Sequence, residues 1–208
     1  GGKVFVGWTT KTSYEHATEA PDDLITNTTG MTMPENGKDY YAVFATAIEG
    51  NEDVLLTAFE GGTKETLVAI ANITGSGLGD NYAESYGAYR VKMDNTGDYI
   101  LYENVNNKKI TKVYFSVQMI GGENTSTMTI QTSDNGEEYV SKGSCSISSN
   151  SGGSQKNFTV EINASPKYVK LLYTKGSNIG LGKLFFYTSS ITYSNYTTSC
   201  NLLQHTVT

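Results

Sequence analysis

From Arg90 onward, short runs with an apolar residue at about every second position alternate with short polar turns. The longest run, ITKVYFSVQMI at 110–120, carries its apolar set at Ile110, Val113, Phe115, Val117 and Met119. A period of two is the spacing of a β-strand with one buried face, so this set is predicted to point inward. Such runs recur about every 8 to 14 residues, which is typical of a β-sandwich.

The sequence therefore predicts a mostly antiparallel β-sandwich from about residue 50 to residue 188. The strands are predicted in YRVKMD, YILYENV, ITKVYFSVQMI, STMTIQTS, VSKGSCSIS, KNFTVEIN and the two ends of YVKLLYTKGSNIGLGKLFFYT. Turns are predicted at NTGD, NNKK, GGEN and DNGEEY. Six residues are predicted to lie in the core: Phe115, Val117, Ile130, Val169, Leu171 and Phe186.

The chain before Arg90 is less regular. KVFVGWTT and DYYAVFAT are predicted to form a first unit, in which Trp8 packs against Val6 and Phe44 as a structural residue. Residues 47–62 are predicted as an acidic turn followed by an apolar run, and residues 74–89 as a long loop.

The segment TKETLVAIANI at 63–73 has two interpretations. Thr63 can cap a short helix or turn, and this is the favoured interpretation, with the apolar residues Leu67, Ile70 and Ala71 inward. A strand that buries Val68 and Ile70 is the alternative.

Three glycines, Gly176, Gly180 and Gly182, interrupt the apolar stretch at 168–188 and precede Lys183. A Walker-type phosphate loop needs four residues between its first glycine and Gly-Lys, followed by a hydroxyl. Here five residues separate Gly176 from Gly182, and Leu184 takes the hydroxyl position. The glycines are therefore predicted to lie in a bend between strands, where they permit positive φ or close backbone approach.

Composition excludes some partners. Fifteen basic against 21 acidic residues give a formal net charge of −6, and Arg90 is the single arginine. A nucleic-acid binder needs a basic face to displace counterions, so no nucleic-acid partner is expected. No run reaches the roughly 18 apolar residues of a membrane span, so no membrane insertion is expected. The opening GGKVFVGW is expected to be the start of a trimmed fragment.

The sequence offers little catalytic chemistry. His16 and His205, its only histidines, fall in a polar loop and in the tail, so a nucleophile would have few candidate bases. The acidic residues cluster in turns rather than forming a separated pair of carboxylates. Cys145 and Cys200 either pair, closing a long loop, or remain free thiols, and without CxxC spacing no zinc site is expected. No catalytic or metal-binding residue is predicted, and the chain is not expected to be an enzyme.

The turn DNTGD at 94–98 is the one calcium candidate, since Asp94, Asn95 and Asp98 supply oxygen atoms. The favoured interpretation is an Asx-type turn with Gly97 at positive φ. No cofactor is predicted, and structural calcium is kept as the less favoured alternative.

Two stretches resemble known modules. FVGWTT followed by YYAVFA resembles the later half of the Listeria–Bacteroides repeat, a small β-grasp-like extracellular unit. TMTIQTSDNGEEYVSKG, FTVEI and PKYVKLLYTKGSNIGLGKLFFY are similar to the later strands of discoidin-like, galactose-binding-like jelly rolls. YSNYTTSC resembles a segment that follows such modules in secreted Bacteroidetes proteins. These resemblances imply three parts: a partial β-grasp-like repeat at 1–46, a galactose-binding-like jelly-roll β-sandwich at 47–188, and a tail or linker at 189–208.

In galactose-binding-like modules the ligand usually lies in loops at one end of the sandwich. A sugar site needs an aromatic face and a few orienting polar groups. The loop GDNYAESYGAYR and the glycine-rich bend supply such groups, and the predicted ligand-binding residues are Asp80, Asn81, Tyr82, Tyr86, Arg90, Lys175 and Asn178. Whether the two loops share an end cannot be read from the sequence.

The sequence thus predicts a non-catalytic, carbohydrate-binding-like module of a secreted or cell-surface protein, with a glycan or cell-surface polysaccharide as partner. The alternative is a structural or adhesive spacer with a protein partner and no small-molecule site. An exposed aromatic patch on the loops would favour the first interpretation, and buried tyrosines would favour the second.

Overall fold

The computed structural model describes residues 2–12, 17–29, 37, 39–82, 87–120, 122–148 and 155–198. Twelve strands and one short helix make up its regular structure: β1 Lys3–Thr9, β2 Tyr41–Phe59, α1 Lys64–Val68, β3 Ile73–Ser76, β4 Gly79–Asp80, β5 Val91–Met93, β6 Tyr99–Glu103, β7 Ile110–Met119, β8 Ser126–Ser133, β9 Val140–Ile147, β10 Gln155–Ala164, β11 Tyr168–Thr174 and β12 Ile179–Thr198. In the described part of the chain no helix is long and apolar enough to span a membrane.

The chain divides into two compact units. Unit 1 comprises residues 1–51 and 190–208, and unit 2 comprises residues 52–189. The long strands β2 and β12 therefore contribute to both units.

Unit 2 is a sandwich of two antiparallel sheets. A five-stranded sheet has the order β3-β6-β11-β8-β9. In the second sheet β12 pairs with β5 and β7, β7 pairs with β10, and β5 pairs with β4. Along the chain β6, β8, β9 and β11 belong to the five-stranded sheet, while β7, β10 and β12 belong to the second, so the path crosses repeatedly between layers, as in a jelly roll. The predicted all-β, jelly-roll sandwich is confirmed.

The core of unit 2 lies between these sheets. The six residues predicted to be buried, Phe115, Val117, Ile130, Val169, Leu171 and Phe186, are all 0% exposed. The whole inward set predicted for β7 is buried as well. Alternation along each strand places these side chains on one face, so both sheets present an apolar surface to the same interior.

Thr63 caps a helix, as the favoured interpretation of 63–73 predicted. Its side chain accepts a hydrogen bond from the backbone N–H of Thr66 at the start of α1. Leu67 is buried, whereas Ala71, predicted to point inward, is exposed because the helix ends before it.

Three segments differ from their predictions. The acidic stretch at 49–53 is not a turn but part of the continuous 19-residue strand β2. The presumed loop at 74–89 contains most of β3 and all of β4. Residues 189–198, expected in a tail, extend β12 to Thr198. In each segment hydrogen bonds to a neighbouring strand outweigh local sequence preference, because polar residues are tolerated wherever strand faces meet solvent.

Unit 1 pairs β1 with the first part of β2. A bulge between Phe5 and Gly7 changes the register, so Phe5 lies opposite Phe44 while Trp8 lies opposite Ala42. This irregularity brings Phe5 and Trp8 to the same face, with ring centroids 5.3 Å apart, whereas a regular strand would place them on opposite faces.

The small core of unit 1 therefore differs from the predicted one. Val6 packs against a cluster of buried residues, Val43, Ala45 and Tyr196, as do Ala17, Ala20 and Leu24. Trp8 is half-buried and contacts Phe5, and Phe5 in turn contacts Phe44 at 5.9 Å between ring centroids. The prediction that Trp8 packs against Val6 is wrong, because the bulge turns the two side chains to different faces.

Candidate functional site

The three glycines at 176, 180 and 182 permit close packing rather than unusual backbone angles. None of the three has positive φ. A Cβ atom on Gly182 would lie 2.6 Å from Cδ1 of Tyr89, and one on Gly180 would lie 3.0 Å from Nδ2 of Asn81. A bend does join β11 to β12, but of the three glycines only Gly176 lies in it. Gly180 and Gly182, which were also predicted there, belong to β12, and the space beside them is filled by other residues of the chain.

The same contacts join the two loops that the sequence singled out. The backbone N–H of Asn81 donates to the carbonyl of Arg90 at 2.7 Å, and its side-chain amide donates to the carbonyl of Tyr89 at 3.1 Å. Because both Asn81 and Tyr89 also contact Gly180, this segment packs beside the bend that carries Asn178. The two loops thus lie together, which the sequence left open.

Ser126 holds the backbone of the bend through hydrogen bonds. Its hydroxyl accepts hydrogen bonds from the N–H groups of Gly176 and Ser177, at 3.1 and 2.9 Å, and donates to the carbonyl of Ser177 at 2.7 Å. The hydroxyl of Tyr173 also donates to that carbonyl. Both Ser126 and Tyr173 are 0% exposed, so the bend is held by a buried polar network.

The turn at 94–98 closes the same end of the sandwich. Oδ2 of Asp98 accepts hydrogen bonds from the N–H groups of Asp94 and Asn95, both at 2.8 Å, and Gly97 has φ of 100°. Thr96 accepts a hydrogen bond from the backbone N–H of Lys175 at 3.0 Å. Gly97 thus has the predicted positive φ, but the contacts are not those of the predicted Asx-type turn. The Asp98 side chain accepts from residues three and four positions before it, whereas an Asx turn accepts from the residue two positions after it.

The carboxylates of this turn already have protein partners. Asp94 forms an ion pair with Lys92 at 2.7 Å, which raises the pKa of the lysine, and Tyr82 adds a smaller contribution in the same direction. Among the described residues no group of three histidine, cysteine or acidic side chains is arranged to hold a metal ion.

The predicted ligand-binding residues differ in accessibility. Tyr82 is 87% exposed, and Lys175 is also exposed, while Arg90 and Asn178 are half-buried. Nε of Arg90 is buried without a hydrogen-bond partner. We call the surface that carries Tyr82, Arg90, Lys92, Lys175 and Asn178 the loop-end site.

Two predicted residues are engaged in holding the structure. Asn81 is 7% exposed, and its hydrogen bonds position the loop. Asp80 is exposed, but its Oδ1 accepts a hydrogen bond from the N–H of Lys64 at the start of α1, at 2.8 Å. Tyr86 lies outside the described residues, as do His16, His205 and Cys200, while Cys145 is a half-buried thiol whose pKa is raised by burial.

Two cavities lie at the opposite end of the sandwich, which the sequence did not single out. One has a volume of about 490 Å³ and the other about 500 Å³, and Asp134 lines both. Their remaining lining is mostly hydroxyl, amide and charged side chains, without an aromatic ring. A sugar ring would therefore find hydrogen-bonding groups there but no flat apolar surface.

The outer face of the five-stranded sheet was also missed. It carries Tyr99, Leu101, Gln131, Tyr139, Tyr168, Lys170 and Leu172, all of them half-buried, and we call it the Lys170 face. The alternation in β11 marks Tyr168, Lys170 and Leu172 as outward-pointing, but the residues beside them on β6 and β8 follow only from the strand register.

Neither a family model nor a curated protein matches this sequence. The carbohydrate-binding module of Cellvibrio mixtus lichenase 5A, solved in complex with cellotriose, is similar at 12% identity and a TM-score of 0.43, with 66% of this chain and all of that one covered. A mannan-recognising carbohydrate-binding module is similar at 9% identity and a TM-score of 0.43, with 67% of this chain and 99% of that one covered. The K3 adhesin domain of Porphyromonas gingivalis Lys-gingipain is similar at 14% identity and a TM-score of 0.43, with 57% of this chain and 93% of that one covered.

Proposed function

We propose that this chain is a non-catalytic glycan-binding module that binds its ligand at the loop-end site. The observation that carries the proposal is the side chain of Tyr82, which is 87% exposed beside a surface of polar groups. A tyrosine ring offers a flat apolar surface for the C–H face of a sugar, and ordering it costs little entropy.

The other groups of the loop-end site suit sugar hydroxyls. Asn178 has a side-chain amide with donor and acceptor atoms, and Lys92 and Lys175 supply donors. Their positions are set by the backbone hydrogen bonds to Thr96 and Ile120 and by the Lys92–Asp94 ion pair. A site whose groups are positioned before the ligand arrives loses less entropy on binding.

A glycan array probed with the full chain tests this function. We expect one or more glycans to bind, and the double variant Tyr82→Ala with Asn178→Ala to lose that binding. The melting temperature should remain nearly unchanged, because neither side chain lies in the core. Tyr193→Ala, which removes another exposed tyrosine at 42% exposure, is the matched control and should bind normally. Binding that survives the double variant would place the site elsewhere.

The alternative is a structural or adhesive spacer, and one observation favours it. Unit 1 exposes Phe5 at 51%, Val4 at 41% and Ile48 at 48%, which are groups suited to protein contact. Failure of the native chain to bind any glycan on the array would favour this function.

Location and origin belong to the same proposal. Either function fits an extracellular or cell-surface protein, and the partial Listeria–Bacteroides repeat proposed for the first unit fits it too. The proposal assigns no catalytic residue and no cofactor, and the glycan partner is either a free or a cell-surface polysaccharide.

A further inference from the structure

Lys170 lies at the centre of the Lys170 face. It occupies the middle of β11, opposite Leu101 on β6 and Gln131 on β8. Its Nζ atom lies 3.3 Å from the centroid of the Tyr139 ring and 5.2 Å from that of Tyr99. The ammonium group is therefore held between two aromatic rings on the side of the sheet that faces away from the core.

This cation has no acidic partner in the described part of the chain. The Lys92, Lys112 and Lys183 side chains each form an ion pair with a carboxylate, and none is found for Lys170. Burial lowers the pKa of Lys170, and no charged neighbour offsets that effect. The ammonium group of Lys170 has thus lost part of its hydration without gaining a carboxylate partner. An anionic ligand group should therefore bind it more strongly than it would bind a fully hydrated lysine.

Hydroxyl and amide groups surround Lys170 across the strands. One cross-strand row reads Thr74, Leu101, Lys170, Gln131 and Ser141, and the next reads Ser76, Tyr99, Leu172, Thr129 and Ser144. The large apolar side chains on this face are half-buried, whereas Val4, Phe5 and Ile48 of unit 1 are exposed. Aromatic rings interspersed with hydroxyl groups favour a sugar chain over an apolar protein surface.

We propose that the Lys170 face is a second glycan site, which binds a polysaccharide carrying carboxylates. One uronate carboxylate pairs with the ammonium of Lys170, and the adjoining sugar rings lie against Tyr99 and Tyr139. Three inter-strand intervals from β6 to β9 give a width of about 14 Å, enough for more than one sugar ring. This site is separate from the loop-end site, and its test can succeed or fail independently.

Titration calorimetry with three acidic polymers tests the inference: polygalacturonate, alginate and hyaluronate, each compared with its methyl ester. We expect the full chain to bind at least one acidic polymer. Methyl esterification should weaken that binding about fivefold or more, since it removes one partly desolvated ion pair. Absence of binding to all three acidic polymers would overturn the inference.

Variants assign the binding to this face. Lys170→Met keeps an apolar side chain between the rings but removes the charge. It should therefore abolish the difference in affinity between the acidic polymer and its methyl ester. Lys170→Arg keeps the charge and should retain that difference. Tyr99→Ala should weaken both forms about two- to tenfold by removing one stacking surface. Lys108→Met, at an exposed lysine in the loop after β6, is the matched control for charge and should behave as the native chain.

The outcomes separate the two proposed sites. In one outcome, Tyr82→Ala abolishes binding of the acidic polymer and Lys170→Met leaves it unchanged. That result would overturn the second site and support the loop-end site. Loss of the acid preference in Lys170→Met, with Tyr82→Ala unaffected, would support the second site alone. The melting temperature of each variant shows that the fold is retained.

Discussion

The ring of Tyr89, which is 9% exposed, lies on β12 at the position where Gly182 has no side chain. Cδ1 and Cζ of that ring would stand 2.6 and 2.9 Å from a Cβ atom on the glycine, which is closer than two carbon atoms can approach. Tyr89 therefore covers the start of β12 as part of the packed structure, whereas Tyr82, seven residues before it, is exposed.

Replacing Gly182 by alanine should destabilise the protein by about 1–3 kcal/mol, because the added methyl group overpacks against Tyr89. Thermal or urea unfolding measures the change. In a Tyr89→Ala background the same substitution should cost almost nothing, so the double-mutant cycle should show a strong coupling. Gly79→Ala is the control, since its Cβ would approach only the flexible end of the Lys92 side chain, at 3.1 Å.

At the scale of single residues, the sequence predicts which side chains could form a site. It does not predict which of those side chains are already used in contacts within the protein. Tyr82, Tyr89 and Asn81 look alike as sugar-binding residues, because each lies in a polar, glycine-rich segment. Their difference arises from contacts with Gly180 and Gly182, about 100 residues away along the chain. A local pattern contains no information about such a contact.

Among the elements, the bend between β11 and β12 is held in large part by a single residue from another strand. Ser126, the first residue of β8, is the acceptor for two N–H groups of the bend and a donor to one of its carbonyls. Asn104 has the corresponding role at the opposite end, where its amide donates to the carbonyls of Lys108 and Pro166 and accepts from the N–H of Lys108.

Ser126→Ala should lower the free energy of unfolding by about 1–3 kcal/mol, because the buried N–H of Ser177 and the partly buried N–H of Gly176 lose their acceptor. Amide hydrogen exchange followed by NMR should show faster exchange at these two groups. Asn104→Ala should have a comparable effect on stability without changing exchange in the bend. If Ser126→Ala left protection at Gly176 and Ser177 intact, the network would not be what holds the bend.

Periodicity predicted β7, β8 and β11 well because each has one face that is buried along most of its length. The middle of β2 exposes most of its side chains, and the end of β12 after Ser189 buries only Tyr196. Polar residues are therefore accepted there and the pattern is lost. Such strands are defined by hydrogen bonding to a neighbour, which the sequence of one strand does not contain.

The whole molecule combines two cores of unequal size. The core of unit 2 extends between two full sheets, whereas the buried cluster described in unit 1 consists of Val43, Ala45 and Tyr196. Since stability derives mainly from buried apolar surface, unit 1 is expected to be the less stable of the two. The chain has one tryptophan, Trp8, and it lies in unit 1.

On heating, the fluorescence of Trp8 should therefore change before the far-UV circular dichroism signal, most of which comes from the strands of unit 2. Acrylamide should quench the native fluorescence to an intermediate degree, because Trp8 is half-buried. Val43→Ala should move the fluorescence transition to lower temperature and leave the main dichroism transition in place. Coincident transitions in the native chain would show instead that the two units unfold as one cooperative system.

Tyr196 gives unit 1 a particular order of assembly. Its partners Val43 and Ala45 precede it by about 150 residues, and all of unit 2 lies between them in the chain. Contacts so distant in sequence form slowly, because a long loop must close before they add any stability. During synthesis, residues 52–189 emerge from the ribosome before Tyr196 does, so the jelly roll can be complete while Val43 and Ala45 still await their last partner. The part of unit 1 that is translated before unit 2 is thus expected to fold after it.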